Sequence, residues 1–431
     1  MIVRVSSAAA RGVFVVIACV VAATLGYSTV CNALAAHFRS LETREGFERA
    51  TRLEPKDANN WYLLGRYWQY NLEEPNTEKA IVAYKTSLTL DPRSADTWSD
   101  LAMAYESDDE SEAARDAFLQ AKRAYPLSPE VAWRFGNFLL RRGEVEPAFA
   151  EIRRAVEADP KRGAAAFALC SRLEPDIDAL LSRVLPPSQQ AYLSLITALT
   201  EQQRPADALK VWALLMRLHP HLDLRDSNGL IEELLRKNQA PDAQTVWEQT
   251  VAAAGVSRPP DPPGSLIWDG GFESQLINAG FTWRYQPFVE GVQVARDSTQ
   301  KHSGNSSLRL TFNGLRNVDF HDVCQFVAVQ HSTSYRFSAW VQTHSLSTDQ
   351  GVRFLLRSSN GFAAFDAWTP DVQGTQPWTE IQLPWSSGPD VRELDVCISR
   401  RPSAKFDSKI RGFAWIDDVA LVPAPSERTG Q

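Results

Sequence analysis

The chain has 431 residues, of which 44% are hydrophobic and 23% are charged. This composition is typical of a globular protein, and the length is sufficient for two or three domains. The 45 basic and 52 acidic side chains give a net charge of -7 and are mixed along the chain, which excludes the basic stripe of a nucleic-acid-binding protein. Five cysteines, none in a CxxC pair, exclude a disulfide-dense scaffold.

The first 38 residues form a basic segment followed by an apolar one. Arg4 and Arg11 precede the main apolar run, which covers 12–26, and weaker apolar residues continue to Phe38. This length suits an uncleaved membrane-spanning helix, whereas the small residues ending at Ala35 suit a signal peptide cleaved there. We favour the inner-membrane anchor, with the bulk of the chain extracytoplasmic (periplasmic or extracellular). Secretion after cleavage near Ala35 is the alternative.

Residues 40–255 repeat a helical pattern with a period of about 34 residues. In two successive repeats the recurring positions are Trp98, Leu101, Ala102, Tyr105, Ala114, Phe118, Ala121 and Pro126, then Ala132, Phe135, Gly136, Leu139, Ala148, Ile152, Ala155 and Pro160. An earlier copy starts at Trp61 and a later one at Tyr192, and prolines interrupt the phase between 161 and 190. Large residues of one helix fill the space beside alanines of the next, and the proline ends the pair.

This pattern resembles the tetratricopeptide repeat, in which W-x2-L-G-x2-Y precedes A-x3-F-x2-A and a proline. The resemblance implies an α-solenoid of helix pairs whose groove binds a protein partner. Side chains outside the motif would contact that partner, and the candidates are Asn60, Arg66, Asp100 and Arg134. The alternative is that these side chains form an ordinary solvated face.

A proline-rich linker, 256–264, separates the helical region from a β-region, 265–423, which is followed by a short tail, 424–431. The β-region consists of short alternating runs bounded by Gly, Pro, Asn and Ser, which predicts an antiparallel β-sandwich or jelly roll. The predicted strands are 306–312, 322–329, 335–343, 351–357, 378–383, 393–398 and 413–421. The predicted fold class is therefore multidomain, α then β, with an N-terminal transmembrane or signal helix.

Three sequence motifs occur in order in the β-region. They are Asp-Gly-Gly-Phe-Glu at 269–273, His-Ser-Gly-Asn-Ser-Ser-Leu at 302–308 and Trp-Ile-Asp-Asp-Val at 415–419. Together they resemble the carbohydrate-binding modules of families 4, 9 and 22, which are jelly rolls. Many of these modules hold a structural calcium ion, and the resemblance places its ligands at Glu273 and Asp418, with Asp417 as a further candidate. The alternative is that these carboxylates cap turns.

Glycans are bound by aromatic faces that stack on sugar rings, with planar polar side chains beside them. Strand alternation predicts one exposed sheet face with such residues: Trp340, Gln342, Arg353, Arg357, Glu380 and Gln382. The alternative is a solvated face with one tryptophan. We expect Trp415 in the core.

Cys324 and Cys397 lie in two predicted strands, and outside the inner membrane they could form a disulfide. The alternative is two buried thiols on strands that do not meet.

No nucleotide-binding, metalloprotease or serine-hydrolase motif is present. Asp417 and Asp418 are adjacent, and alternation along a strand would point them to opposite faces, so a glycosidase is not expected. The sequence predicts a non-catalytic, membrane-anchored adaptor that docks a protein and binds a polysaccharide, in envelope or exopolysaccharide assembly. The alternative is a purely structural protein–protein scaffold, and a glycan-active enzyme is disfavoured. No cofactor is expected apart from the calcium ion.

Overall fold

A computed structural model describes residues 8–358 and 365–424. The chain divides into two compact units between Pro186 and Pro187. The first unit is helical in its described residues. Its helices are α1 (Ala8–Arg39), α2 (Arg44–Leu53), α3 (Ala58–Tyr70), α4 (Thr77–Leu90), α5 (Ala95–Ser107), α6 (Ser111–Ala124), α7 (Pro129–Arg141), α8 (Val145–Ala158), α9 (Gly163–Cys170) and α10 (Ile177–Arg183).

Helix α1 contains the segment Arg11–Arg39, which is long and apolar enough to cross a membrane. The side chains of 12–26 are exposed, but near the end of the helix Cys31 and Ala35 are buried. Arg39 Nη1 donates to Asp57 Oδ2 at 2.8 Å and to Asn60 Oδ1 at 2.9 Å. The end of α1 is therefore packed into the helical array.

The repeats form helix pairs, as predicted, in which α3, α5 and α7 are the first helices and α4, α6 and α8 the second. Ser94 and Ser128 cap α5 and α7 by accepting backbone N–H groups of the first turn. Gly65 lets α3 approach α4 closely, since a Cβ at that position would lie 2.6 Å from the Tyr84 ring. Where prolines interrupt the repeat, the helices α9 and α10 are short.

The second unit contains four further helices and a β-sandwich. The helices are α11 (Gln189–Glu201), α12 (Pro205–Arg217), α13 (Asn228–Arg236) and α14 (Ala240–Ala254). The strands are β1 (Arg284–Tyr285), β2 (Phe288–Val289), β3 (Val292–Asp297), β4 (Ser307–Asn313), β5 (Phe320–Ala328), β6 (Ser334–His344), β7 (Arg353–Ser358), β8 (Phe365–Trp368), β9 (Gln376–Ser386), β10 (Glu393–Arg400) and β11 (Arg411–Pro423).

The strands form two antiparallel sheets. One has the order β1-β5-β10-β7-β8 and the other β2-β3-β4-β11-β6-β9. The inward side chains of both sheets share one apolar core, which includes Phe337, Phe354 and Ile416. The seven predicted strands all form, whereas β1, β2, β3 and β8 were not predicted. Of these, β1, β2 and β8 have only two to four residues, which is too short for a periodic pattern to be read.

Helices α13 and α14 contact the sandwich within the second unit. Asn228 Oδ1 accepts the N–H of Gly280 at 2.8 Å, and Arg284 Nη1 lies 2.7 Å from Glu232 Oε1. A Cβ on Gly280 would lie 2.1 Å from the Trp247 ring, so only glycine fits there. These contacts join helices of the predicted solenoid directly to the β-sandwich.

The proline-rich segment is also packed. Arg258 Nη2 donates to the carbonyls of Ser265 and Ile267, and Asp261 accepts the N–H groups of Asp269 and Gly270. These bonds bind the segment to the first loop of the sandwich.

Candidate functional site

The first helices of the repeats share a row of charged side chains. Asp100 on α5 lies between Arg66 of α3, at 3.8 Å, and Arg134 of α7, at 2.6 Å. Arg134 Nε also lies 2.7 Å from Glu130 Oε1. Asp100 is buried, and a buried carboxylate needs such partners. The structure therefore brings three of the four candidate groove residues together.

Asn60, the fourth candidate, is fully buried. Its Nδ2 donates to the carbonyls of Ala50 and Glu54, and its Oδ1 accepts from Arg39. This side chain holds α1, α2 and α3 together and is not accessible to a ligand.

Aromatic rings lie beside the charged row. The Arg66 guanidinium is 5.9 Å from the Tyr62 ring centroid and 5.6 Å from that of Tyr70, which is 45% exposed. Burial, and secondly the nearby Asp100 carboxylate, raises the pKa of Tyr62 to about 12. The face thus presents guanidinium, phenol and carboxylate groups, which suit a polar peptide segment.

Four of the six predicted glycan contacts lie together on the outer side of the six-stranded sheet. In the strand register Trp340 of β6 is opposite Glu380 of β9, and Ser338 is opposite Gln382. Gln342 of β6 is opposite Trp415 of β11. We call Trp340, Gln342, Glu380, Gln382 and Trp415 the tryptophan face.

The expectation that Trp415 lies in the core is wrong. Its neighbours Ala414 and Ile416 are buried in the core, so alternation points Trp415 outward. The indole Nε1 donates to Asp297 Oδ2 at 3.0 Å, and the ring stacks with Phe413. Opposite Trp415, the Gln342 side chain is half-buried, and its Oε1 is buried and receives no hydrogen bond from the described residues.

The Trp340 ring is partly covered. The imidazole of His302 stacks on it with 3.9 Å between ring centroids, and His302 Nδ1 lies 2.6 Å from Asp418 Oδ2. The more open aromatic surface of this sheet is therefore formed by Trp415 and by Phe413, which is 38% exposed.

Arg353 and Arg357 do not belong to this face, and the prediction of one six-residue surface is wrong. Both lie on β7, in the five-stranded sheet, where Arg353 pairs with Asp371 at 3.1 Å and Arg357 with Asp395 at 3.6 Å. Alternation identifies which side of a strand is exposed, but strand order decides which sheet it joins.

The three carboxylates of the expected calcium site all contact the turn 302–306. Glu273 Oε1 accepts the N–H of Asn305, and Asp417 Oδ2 accepts those of His302 and Ser303. Asp418 accepts the hydroxyl of Ser303. These oxygens are already used by N–H and O–H donors, and the described residues contain no cluster of three acidic, His or Cys side chains arranged for a metal. These contacts are those of carboxylates that cap a turn, which was the alternative, and the calcium site stays a prediction.

Asp417 and Asp418 reach the same turn, contrary to the expectation from strand alternation. The register of β11 shifts between Asp417 and Ala420, and Asp418 has a φ of 47°. This β-bulge interrupts the alternation. Burial raises the pKa of Asp417 to about 6, but its oxygens accept hydrogen bonds from backbone N–H groups rather than facing a cleft.

Cys324 and Cys397 are joined by a disulfide. They are directly opposite each other on β5 and β10, neighbouring strands of the five-stranded sheet. Strand order, which the sequence did not predict, brings them together.

Sequence reasoning missed a buried acidic pair on β10. Glu393 and Asp395 are 5% and 8% exposed, and burial raises their pKa values to about 7 and about 6. The Arg357 guanidinium partly offsets the effect on Asp395. The sequence signal is a pair of acidic residues at alternate positions at the start of a strand whose residues 394 and 396–398 are apolar.

Comparison with known proteins identifies the repeats. A tetratricopeptide repeat model matches residues 72–129 and 99–163. Among curated proteins, none matches the chain.

Solved structures similar to parts of the chain include both kinds of domain. Pseudomonas aeruginosa PilF is 14% identical and aligns over 54% of this chain and 92% of its own, with a TM-score of 0.28. YrrB, described as a TPR protein with an unusual peptide-binding site, is 16% identical over 49% of this chain and 94% of its own, with a TM-score of 0.26.

The CBM22-1 xylan-binding domain of Paenibacillus barcinonensis Xyn10C is 16% identical over 37% of this chain and 95% of its own, with a TM-score of 0.27. At such identities and TM-scores these likenesses say nothing about ligands. The repeat match and the observed strands establish tetratricopeptide repeats followed by an antiparallel β-sandwich.

Proposed function

We propose that this protein is a non-catalytic, membrane-anchored adaptor outside the cytoplasm. The repeats dock a protein partner on the first-helix face, and the β-sandwich binds a glycan on the tryptophan face during envelope or exopolysaccharide assembly. The observation that carries the proposal is the outward placement of Trp415, because its ring lies beside the partly exposed ring of Phe413 and directly opposite Gln342 in the strand register.

An uncleaved anchor is supported by the packing at the end of α1. Ala35, the last residue before the expected cleavage point, is fully buried within the helix. Cleavage there would leave Arg39 on a four-residue stub and weaken its bonds to Asp57 and Asn60.

The glycan proposal is tested with the full chain in detergent, on a glycan array and in affinity gels, with and without calcium. Trp415→Ala should reduce affinity for the bound polysaccharide by about tenfold or more, because removal of an aromatic anchor costs about 2 kcal/mol. Trp340→Ala should have a smaller effect, since His302 covers that ring.

Trp368→Ala is the matched control, because it removes a tryptophan from the edge strand of the other sheet. It should leave glycan binding unchanged. If a folded wild-type protein binds no glycan, or if Trp368→Ala and Trp415→Ala weaken binding equally, the tryptophan face is not a glycan site.

The second candidate function is a scaffold that binds no sugar. It is favoured by the stacking of His302 on Trp340 and by the packing of α13 against the sandwich, both of which use β-domain surface for internal contacts.

A further inference from the structure

A groove of about 530 Å³ lies between the second helices α4 and α6 and has α5 as its floor. Leu88, Leu101 and Ala117 are its buried apolar residues, and the rings of Trp98 and Tyr105 also line it. The indole Nε1 of Trp98 donates to the Pro92 carbonyl, so that ring needs no polar partner in the groove. We call this the α4–α6 groove; the charged row of the first helices does not line it.

One repeat later, the space between α6 and α8 corresponds to this groove, and there ion pairs close it. Lys122 of α6 forms an ion pair with Glu151 of α8, and Arg154 of α8 lies 2.7 Å from the same carboxylate. The repeat before it, about 34 residues earlier in the chain, has apolar residues at these positions. Leu88 of α4 corresponds to Lys122, and Ala117 of α6 corresponds to Glu151.

A second bridge, from Arg115 to Glu144, joins α6 to the residue that precedes α8. At the position equivalent to Arg115, helix α4 carries Ile81, which is buried and cannot pair. The α4–α6 groove therefore lacks both cross-helix bridges, because Leu88 and Ala117 replace the first pair and Ile81 replaces the arginine of the second.

The charges at the rim of the groove are unpaired. Lys85 on α4 and Asp116 on α6 are exposed, and neither forms an ion pair among the described residues. Lys85 Nζ lies 5.3 Å from the Tyr105 ring centroid. A ligand in the groove would meet a cation on one side and an anion on the other.

The volume of the groove and the spacing of its apolar residues indicate which kind of ligand it can bind. An apolar cavity of about 150 Å³ takes one benzene ring, so this groove has room for about three large apolar side chains. Trp98, Leu101 and Tyr105 are spaced i, i+3 and i+7 along α5, which matches one stripe of a packed helix. An extended peptide binds through hydrogen bonds to backbone N–H and C=O groups of its receptor. In the three helices around the groove, these groups are already paired within each helix.

We propose that the α4–α6 groove is a second protein-docking site, which binds an amphipathic helix of a partner protein. That helix carries large apolar residues at i, i+3 or i+4, and i+7, with an acidic residue facing Lys85 and a basic residue facing Asp116. The site is separate from the first-helix face and does not require that face to bind anything.

The test uses a phage-displayed library of alanine-based helices with a varied apolar stripe and varied flanking charges, selected on the full chain. Selected peptides are synthesised, and their Kd values are measured by fluorescence anisotropy. Leu88→Lys combined with Ala117→Glu installs the bridge of the next repeat, and it should weaken binding about tenfold or more. Arg66→Ala, on the first-helix face, should leave the Kd unchanged.

Two further variants keep the test informative if the double substitution impairs folding. Asp116→Arg changes only an exposed side chain, and it should weaken binding of a peptide with a basic flank and strengthen binding of the charge-reversed peptide. Lys122→Leu and Glu151→Ala combined with Arg115→Ile remove both bridges of the next repeat, so they should open a second groove and raise the peptide stoichiometry.

Peptides that bind Leu88→Lys/Ala117→Glu as well as wild type would overturn the proposal, and so would failure to select any helix. Dimers of the wild type that dissociate in the groove-closing variant would also overturn it, because the ligand would then be a second copy of this chain.

Discussion

Glu393 illustrates how burial controls a single carboxyl group in this protein. Its ordinary pKa of 4.5 rises to about 7 because the side chain is buried on β10, with the Asp395 carboxylate as a second cause. A raised carboxyl pKa means that the folded state favours the protonated form. The stability from this group is present below the unfolded pKa and is lost as the pH rises through about 7.

Glu393→Gln should therefore stabilise the sandwich at high pH and not at low pH. At about pH 8 we expect a gain in the free energy of unfolding of up to about 3 kcal/mol, and at about pH 5 little change. Urea unfolding followed by tryptophan fluorescence measures the difference. Glu380→Gln, on the exposed outer side of β9, is the control and should show no pH-dependent gain. Equal midpoints for wild type and Glu393→Gln at about pH 8 would contradict the argument.

At the scale of elements, the turn 302–306 joins the start of the β-domain to its last strand. Glu273 binds the turn from one side, and Asp417 and Asp418 bind it from β11. Gly304 has a φ of 57°, and a Cβ on it would lie 2.1 Å from Glu273 Oε1. This contact explains why glycine occupies the motif position.

Gly304→Ala should lower the unfolding midpoint of the sandwich, since the new methyl group must displace the Glu273 carboxylate in addition to adopting a left-handed backbone. We expect a cost of about 2–3 kcal/mol. Gly374→Ala isolates the backbone contribution, because Gly374 has a φ of 65° but no atom within 4 Å of its Cβ position. It should cost only about 1 kcal/mol. A Gly304 variant no less stable than the Gly374 variant would show that the Glu273 contact is unimportant.

At the scale of the whole molecule, the boundary between the compact units does not follow the change of secondary structure. Helices α11 to α14 belong to the same unit as the sandwich, and α13 and α14 bind it through Asn228, Glu232 and Trp247. Helices α13 and α14 therefore pack against the β-sandwich and belong to the same compact unit.

The N-terminal helix leads to a prediction about the mature protein. Because Ala35 is buried and Arg39 binds Asp57 and Asn60, we expect the chain to stay uncleaved and to sediment with membranes. Intact mass spectrometry of the purified protein measures this directly, with a chain starting at residue 40 as the soluble control. A mature N-terminus at residue 36 would identify a signal peptide instead.

The repeats and seven of the strands could be predicted from the sequence alone. Trp98, Ala114 and Pro126 have fixed positions in a helix pair, and alternation along β6 identifies Phe337 as core and Trp340 as outward. Such local patterns are readable because each depends on neighbours within one or two turns of helix or one strand.

Only the tertiary structure decided which residues meet. Strand order separated Arg353 from Trp340 and joined Cys324 to Cys397, and a bulge turned Asp417 and Asp418 toward one turn. The groove beside Leu88 exists because two helices about 34 residues apart lack a bridge that the next pair forms. Periodicity reports the exposed side of each element, but the pairing of distant elements depends on packing that no local pattern contains.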